Sequence, residues 1–316
     1  MGEFQLIEWI RQQAGSDDSR TILGIGDDAA VLSVPENQEL VISTDTLNTG
    51  IHFDERISAT DLGYKSLAVS LSDLAAMGSN PRWVLLSISL PEINTAWIED
   101  FIDGFVGLAK TSGVTLVGGD TCAGSLSVTV TAMGLVNPGC ALTRGGARPG
   151  DLVVVSGTLG DAGKALSDLE MNRLPGESST RALYHPVPRI ALGTSLVGKA
   201  SSCIDISDGL LADLGHIAKA STCAALVETG LLPTSSGLRK YPQERRWVWQ
   251  LTGGEDYELC FTIAADDECQ LAALEKSLDV KLTVIGQMVE GSGIRCVRPD
   301  GELFSVELDG YQHFRN

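Results

Sequence analysis

Runs of strand length alternate with stretches of helical period along this chain, and the alternation starts afresh once, after a segment rich in glycine and proline. Before that segment, strand-length runs fall at 40–43, 83–89, 114–117 and 126–136, with helical spacing over 4–13, 58–77 and 96–111. After it, strands are expected at 151–155, 202–206, 223–228, 258–263, 280–285 and 293–298, and helices near 161–171, 188–199 and 209–220. An element order of this kind buries its apolar faces by layering helices on sheets, which predicts a mixed α/β fold. The break is NPGCALTRGGARPG at 137–150, where turn residues replace any periodicity. A length of 316 residues is ample for two domains of ~150 each. The expected division is therefore an N-terminal α/β domain at 1–138 and a C-terminal α/β domain at 149–316.

Local signals sharpen several elements. Phe4, Ile7 and Ile10 share one helical stripe. Ser58 is a candidate N-cap with Asp61 three residues on, and Gly78 is a candidate stop for the same helix. Thr95 and Gly113 take those two roles for the next helix. Over 126–136, Leu126, Val128, Val130 and Ala132 alternate with Ser127, Thr129 and Thr131, the pattern of a strand with one polar face. The Leu40–Ser43 run is expected to close in Thr44-Asp45-Thr46, and Val114–Val117 to close in Gly118-Gly119-Asp120.

Charge narrows the function classes. Acids outnumber bases 41 to 23, for a net charge of −18. Such a surface repels nucleic acid and anionic lipid, so neither is an expected partner. If the chain handles phosphates at all, it needs local positive charge, and divalent metal is the usual source. The seven cysteines are odd in number and form no C-x-x-C pair, so reduced thiols are expected rather than a disulfide framework or a thiolate zinc site. The opening stretch MGEFQLIEWIRQQ carries acids and lacks a long apolar core, and no run approaches the ~18 apolar residues of a membrane span. A cytoplasmic location follows as an expectation.

Acidic residues recur in glycine-rich turns and at the expected ends of strands. Asp27 and Asp28 lie in GIGDDAA, Asp45 in STDT, Asp120 in VGGDT, Asp205 and Asp208 in IDISDG, and Glu255 and Asp256 in TGGEDYE. Asp73 sits inside the apolar 58–77 helix, where an unpartnered carboxylate is costly. Strand ends are where α/β folds build their sites. Carboxylates with neighbouring Ser and Thr hydroxyls, and no His or Cys cluster, are hard oxygen donors suited to Mg²⁺ or Mn²⁺. Taken singly, each Asp can equally cap a helix or a turn; the recurrence of the pattern favours metal.

Other motifs carry less. GIGDDA fits a loose dinucleotide fingerprint, but two carboxylates would repel a pyrophosphate there and no helix follows. GTLGDAGKA has a P-loop flavour, yet its first glycine is one residue too far from Gly163-Lys164, and Ala165 stands where a metal-binding hydroxyl belongs. A turn leading into a helix is the better reading. Arg144 and Arg148 in the linker can clamp a phosphate or be solvated loop charges. His52 and Tyr311 can contact a ligand or simply pack.

In order, GIGDDAA, STDTL, SLAVSLSDLAAMGSNP, VGGDT, LTRGGARPGD, IDISDGLLADL and TGGEDYEL closely resemble the thiamine-monophosphate kinase family, within the aminoimidazole ribonucleotide synthetase-like superfamily. The resemblance runs from about Phe4 to Phe314, and SDLAAMG and GGEDYEL are its most specific segments. It implies a two-domain fold whose N-terminal sheets pair into a barrel-like homodimer. It implies transfer of the γ-phosphoryl group of ATP, as co-substrate, to thiamine monophosphate with several Mg²⁺ ions. Carried onto matching positions, metal would be held by Asp28, Ser43, Thr44, Asp45, Asp73, Asp120, Asp205 and Asp208. Nucleotide would be held by Gly119, Asp120, Arg144 and Ser207, and thiamine phosphate by His52, Glu255 and Tyr311. Asp45, Asp120, Arg144 and Asp208 would act in catalysis. One departure stands out: the family often has an aromatic near position 102 that touches nucleotide, and here it is Ile102. The acceptor is a phosphate oxygen already ionised at neutral pH, so no triad-like nucleophile is required. The alternatives are a cyclising ligase of the same superfamily and a non-catalytic regulator that binds metal or nucleotide.

Overall fold

The computed structural model describes residues 3–14 and 18–305. These fall into two compact units. One comprises the described residues up to Leu74 together with Ser79–Gly139; the other comprises Ala75–Gly78 and the described residues from Cys140 on.

The first unit contains α1 (Glu3–Ala14), β1 (Thr21–Leu23), β2 (Val31–Leu32), β3 (Glu39–Asn48), α2 (Ala59–Ala76), β4 (Asn80–Leu90), α3 (Thr95–Ser112), β5 (Thr115–Ala123) and β6 (Ser127–Val136). Its main sheet has the order β3-β6-β4-β5. The first two pairings are antiparallel and β4/β5 is parallel. α2 and α3 cover one face and meet where each has a glycine. A Cβ on Gly63 would sit 2.0 Å from the Phe101 carbonyl oxygen, and one on Gly104 would sit 2.0 Å from that of Thr60. The crossing therefore admits no side chain at either position. On the opposite face Trp83, Val117, Met133 and Leu135 cluster with Ala30 and Leu32 of the β1–β2 ribbon.

The second unit contains β7 (Leu152–Ser156), α4 (Asp161–Glu170), α5 (Glu177–Tyr184), α6 (Ile190–Leu196), β8 (Ala200–Asp205), α7 (Leu210–Ser221), β9 (Ala224–Glu228), α8 (Gln243–Thr252), β10 (Leu259–Ile263), α9 (Cys269–Leu278), β11 (Leu282–Val289) and β12 (Gly293–Val297). Its sheet has the order β12-β9-β11-β7-β10-β8, parallel only at β12/β9. Both faces are buried. Val153 and Val155 of β7 join a core with Leu210, Leu214, Trp247 and Leu251. Val154 points the other way, into a core with Leu192, Leu196, Leu271 and Leu274. A strand covered on both sides reads as a continuous apolar run, which is why LVVVS carries no polar alternation.

The mixed α/β class holds, and several boundaries move. β3 and β5 run past their expected ends, so Asp45 and Asp120 lie within strands: Asp45 pairs with Val130 and Asp120 with Ser87. The N-cap of α3 is Asn94, whose side chain accepts from the Trp97 amide at 3.2 Å, rather than Thr95. Ser58 caps α2 as expected, accepting from the Asp61 amide at 3.1 Å. α5, α8 and α9 have no counterpart in the sequence reading. No helix among the described residues is long and apolar enough to cross a membrane.

Candidate active site

In the first unit the acids divide between the two faces of the sheet. Strand residues alternate sides, so Ser43 and Asp45 face α2 while Thr44 faces away. The Ser43 hydroxyl donates to the Asp73 carboxylate, supplying the partner that an acid in an apolar helix requires. Asp45 is pushed up to about 6 by burial and then by the charge of Asp73, against a hydroxyl from Ser70. No basic side chain is among the groups acting on it, and its Oδ2 is buried without a hydrogen-bond partner. Two adjacent carboxylates with an orphaned oxygen form a donor set that a hard divalent cation would satisfy.

The opposite face carries Asp28, Thr44 and Asp120. A cavity of about 950 Å³ is lined by the Gly24–Ala30 turn, Gly118, Gly119, Asp120, Ser87, Thr129 and Thr131. The Thr44 and Thr131 hydroxyls meet at 3.0 Å beside it. Gly119 is required where it stands, since a Cβ there would lie 1.8 Å from the Leu86 carbonyl oxygen. The expected contiguous ligand run Ser43-Thr44-Asp45 is thus split by the pleat. Among the described residues no group of three His, Cys, Asp or Glu side chains stands at metal-binding spacing. His52 is anchored by its own turn, Nδ1 accepting from the Asn48 amide at 3.0 Å. Ile102 is 1% exposed in the core, so its position does not reach a ligand.

In the second unit β8 ends at Asp205, and the loop Ile206–Gly209 leads into α7. The Ser207, Asp208 and Gly209 amides all donate to Asp213 Oδ2, at 3.0, 3.1 and 3.1 Å. Burial and the neighbouring Asp208 push Asp213 up to about 7, against those three N–H groups. The segment before β10 is bound to the same loop: the Glu255 amide donates to Ser207 O and the Tyr257 amide to Ile206 O, both at 2.8 Å. Gly254, Glu255 and Tyr257 have φ of 63°, 61° and 49°. Left-handed conformations at two non-glycine residues are strained, a feature concentrated at functional sites.

The rest of that segment is locked by buried polar groups. Arg189 forks onto Glu258, with Nε to Oε2 at 2.6 Å, and Ser156 also donates to Glu258. Asp256 accepts from the Gly160 amide at 2.9 Å, and burial pushes its carboxyl well above the usual range. Lys164, in the P-loop-like stretch, is buried against Asp168 on α4, which removes it from phosphate binding. Arg144 is exposed on the linker and makes no ion pair among the described residues. Tyr311 lies outside the described residues. Sequence reasoning missed Asp213, Arg189 and Glu258; the available signal was an acid in the apolar start of α7, LLADL.

The comparisons with known proteins extend over nearly the whole chain. The family described as AIR synthase related protein, N-terminal domain, matches residues 26–136. Its C-terminal domain matches residues 148–298. The thiamine-monophosphate kinase of Escherichia coli is 45% identical, covering 99% of this chain and 98% of its own. That of Haemophilus influenzae is 44% identical, covering 100% and 98%. The crystal structure of thiamine-monophosphate kinase from Stenotrophomonas maltophilia superposes with a TM-score of 0.88 at 47% identity, covering 96% of this chain and 98% of that one. A structure of AaThiL complexed with AMPPCP and TMP gives a TM-score of 0.77 at 32% identity, covering 99% and 97%.

Proposed function

The chain belongs to the AIR synthase related family and, within it, to the thiamine-monophosphate kinases, and from that membership we propose how its residues serve the reaction. It is a phosphotransferase that moves the γ-phosphoryl group of ATP onto thiamine monophosphate, giving thiamine diphosphate and ADP. The observation that carries this is full-length identity of 45% to a kinase of that name. The AaThiL complex with AMPPCP and TMP supports the same pair of ligands.

The acceptor phosphate needs no protein nucleophile. The demand on the protein is to bring two polyanions together and align them. Mg²⁺ would be held by Asp28, Ser43, Thr44, Asp45, Asp73, Asp120, Asp205 and Asp208, and would supply the charge neutralisation that a protein of net charge −18 lacks. The orphaned Asp45 oxygen beside Asp73 supports this assignment. Gly119, Asp120, Ser207 and the exposed Arg144 would orient the nucleotide, Arg144 adding the guanidinium that suits phosphate. His52, Glu255 and Tyr311 would hold thiamine phosphate. Glu255 carries a carboxylate suited to the thiazolium cation, on a backbone held rigidly by Ser207. The same reading takes the protein as a cytoplasmic homodimer.

The test is thiamine diphosphate formation by purified protein with ATP, thiamine monophosphate and Mg²⁺, against an EDTA control. Metal-dependent product is expected. Folded, nucleotide-binding protein that yields none would overturn the reading in favour of a cyclising ligase or a regulator.

A further inference from the structure

We infer that Asp213 is a positioning residue of the nucleotide half of this site, and that Ser207 and Asp208 meet their ligands through side chains alone. The inference rests on the roles proposed above for Ser207, Asp208 and Glu255.

Three successive amides at the start of a helix form a concavity with net positive potential, and in many proteins a phosphate fills it. Here it is already filled. Asp213 stands in the first turn of α7 and reaches back, and one of its oxygens takes the Ser207, Asp208 and Gly209 amides at 3.0–3.1 Å. It is 3% exposed. Gly209, the N-cap, offers no side-chain cap of its own, so Asp213 does from inside the helix what a capping residue does from outside. With all three donors spent, none remains for a nucleotide phosphate. The ligand-facing groups of the loop are therefore the Asp208 carboxylate and the Ser207 hydroxyl.

The same contact reaches the thiamine side. Ser207 O accepts from the Glu255 amide at 2.8 Å, and a Cβ on Gly254 would stand 2.7 Å from that oxygen. A Cβ on Gly209 would stand 3.0 Å from Thr252 Cα, at the end of α8. A loop pinned by Asp213 thus carries Asp208 and supports the backbone of Glu255 in the segment before β10. Releasing it would misplace both at once.

The experiment combines amide hydrogen exchange with binding and kinetics. In the free wild-type protein, Ser207, Asp208 and Gly209 should be protected before any nucleotide is added. Asp213→Ala should abolish that protection, and Asp213→Asn, which keeps the shape and one acceptor oxygen, should weaken it. Both variants should raise the Mg²⁺ concentration for half-maximal AMPPCP binding, read by calorimetry, and lower kcat by about 10–100-fold, the range for groups that orient a ligand rather than touch it. The KM for thiamine monophosphate should rise as well. The proposal is overturned if the wild-type amides exchange freely and become protected only with Mg²⁺ and AMPPCP. It is equally overturned if the variants melt earlier while Mg²⁺ dependence and kcat stay at wild-type values. If wild-type protein makes no thiamine diphosphate, the kinase reading falls, and exchange with AMPPCP binding still decides the role of Asp213.

Discussion

Asp45 is held beside Asp73 with no basic side chain among the groups acting on it, and the arrangement has a measurable thermodynamic signature. Asp45 titrates at about 6 in the folded protein against an ordinary 3.8, so folding tightens its hold on a proton. Its contribution to stability is full below the ordinary value and is lost as pH rises through about 6, by up to about 3 kcal/mol. In EDTA, Asp45→Asn should flatten this part of the pH dependence and raise the melting temperature at pH 7. Added Mg²⁺ should then stabilise the wild type more than the variant, while turnover of the variant drops by orders of magnitude. A wild-type melting temperature unchanged between pH 4 and 7 would count against the coupling. Glu255→Gln should raise the KM for thiamine monophosphate more than that for ATP, and initial-rate kinetics showing the reverse order would remove Glu255 from the thiamine pocket. At this scale the sequence was informative where chemistry is carried by side chains. An acid inside SLSDLAAMG demands a partner, and Ser43 provides one. Asp213 sits in an equally apolar setting and could have been flagged on the same ground. Its partners are backbone amides, which leave no mark in the residue string. The Arg189–Glu258 fork joins residues 69 apart, and nothing local in either segment announces it.

Elements were legible in proportion to how far their own residues determine them. The caps of α2 and the left-handed Gly113 after α3 follow from local chemistry and stand where expected to within one residue. β3 and β5 read short because Thr44–Thr46 and Gly118–Asp120 are polar or small. Their strand character comes from ladder partners on β6 and β4. α5 and α8 are short and rich in charge, burying only a few residues such as Leu183, Trp247 and Leu251, so their periodicity is faint. The α2–α3 crossing offers a paired test. Gly63→Ala would drive a methyl into the Phe101 carbonyl and should cost about 2–4 kcal/mol by urea denaturation. Gly107→Ala, on the same α3 with nothing within 4 Å of the added carbon, should stabilise by about 0.5–1 kcal/mol. Equal effects at the two sites would mean that the close helix contact does not govern packing there.

For the whole molecule, the restart of the pattern after NPGCALTRGGARPG signalled two bodies, and the charge balance signalled metal. The pairing order within each sheet was not readable, because consecutive strands are often not neighbours: β7 lies between β11 and β10. Self-association was readable only through the family resemblance, and the structure supplies a physical motive. One face of the first unit's sheet carries Leu40 and Ile42, 39% and 58% exposed, beside the Thr44–Thr131 and Thr46–Thr129 hydroxyl pairs. Exposed branched apolar residues on a sheet face are costly in water and gain by being covered, and the homodimer proposed here would cover them with a second copy of the same sheet. Ile42→Lys places like charges near each other across a two-fold contact, since an isologous interface presents each substitution twice. The wild type should sediment at twice the chain mass and the variant as a monomer at micromolar concentration. Far-ultraviolet circular dichroism of the variant should remain unchanged, because Ile42 lies outside the buried core. A wild-type protein that sediments as a monomer would reject the dimer. A variant that stays dimeric would move the interface off this face of the sheet.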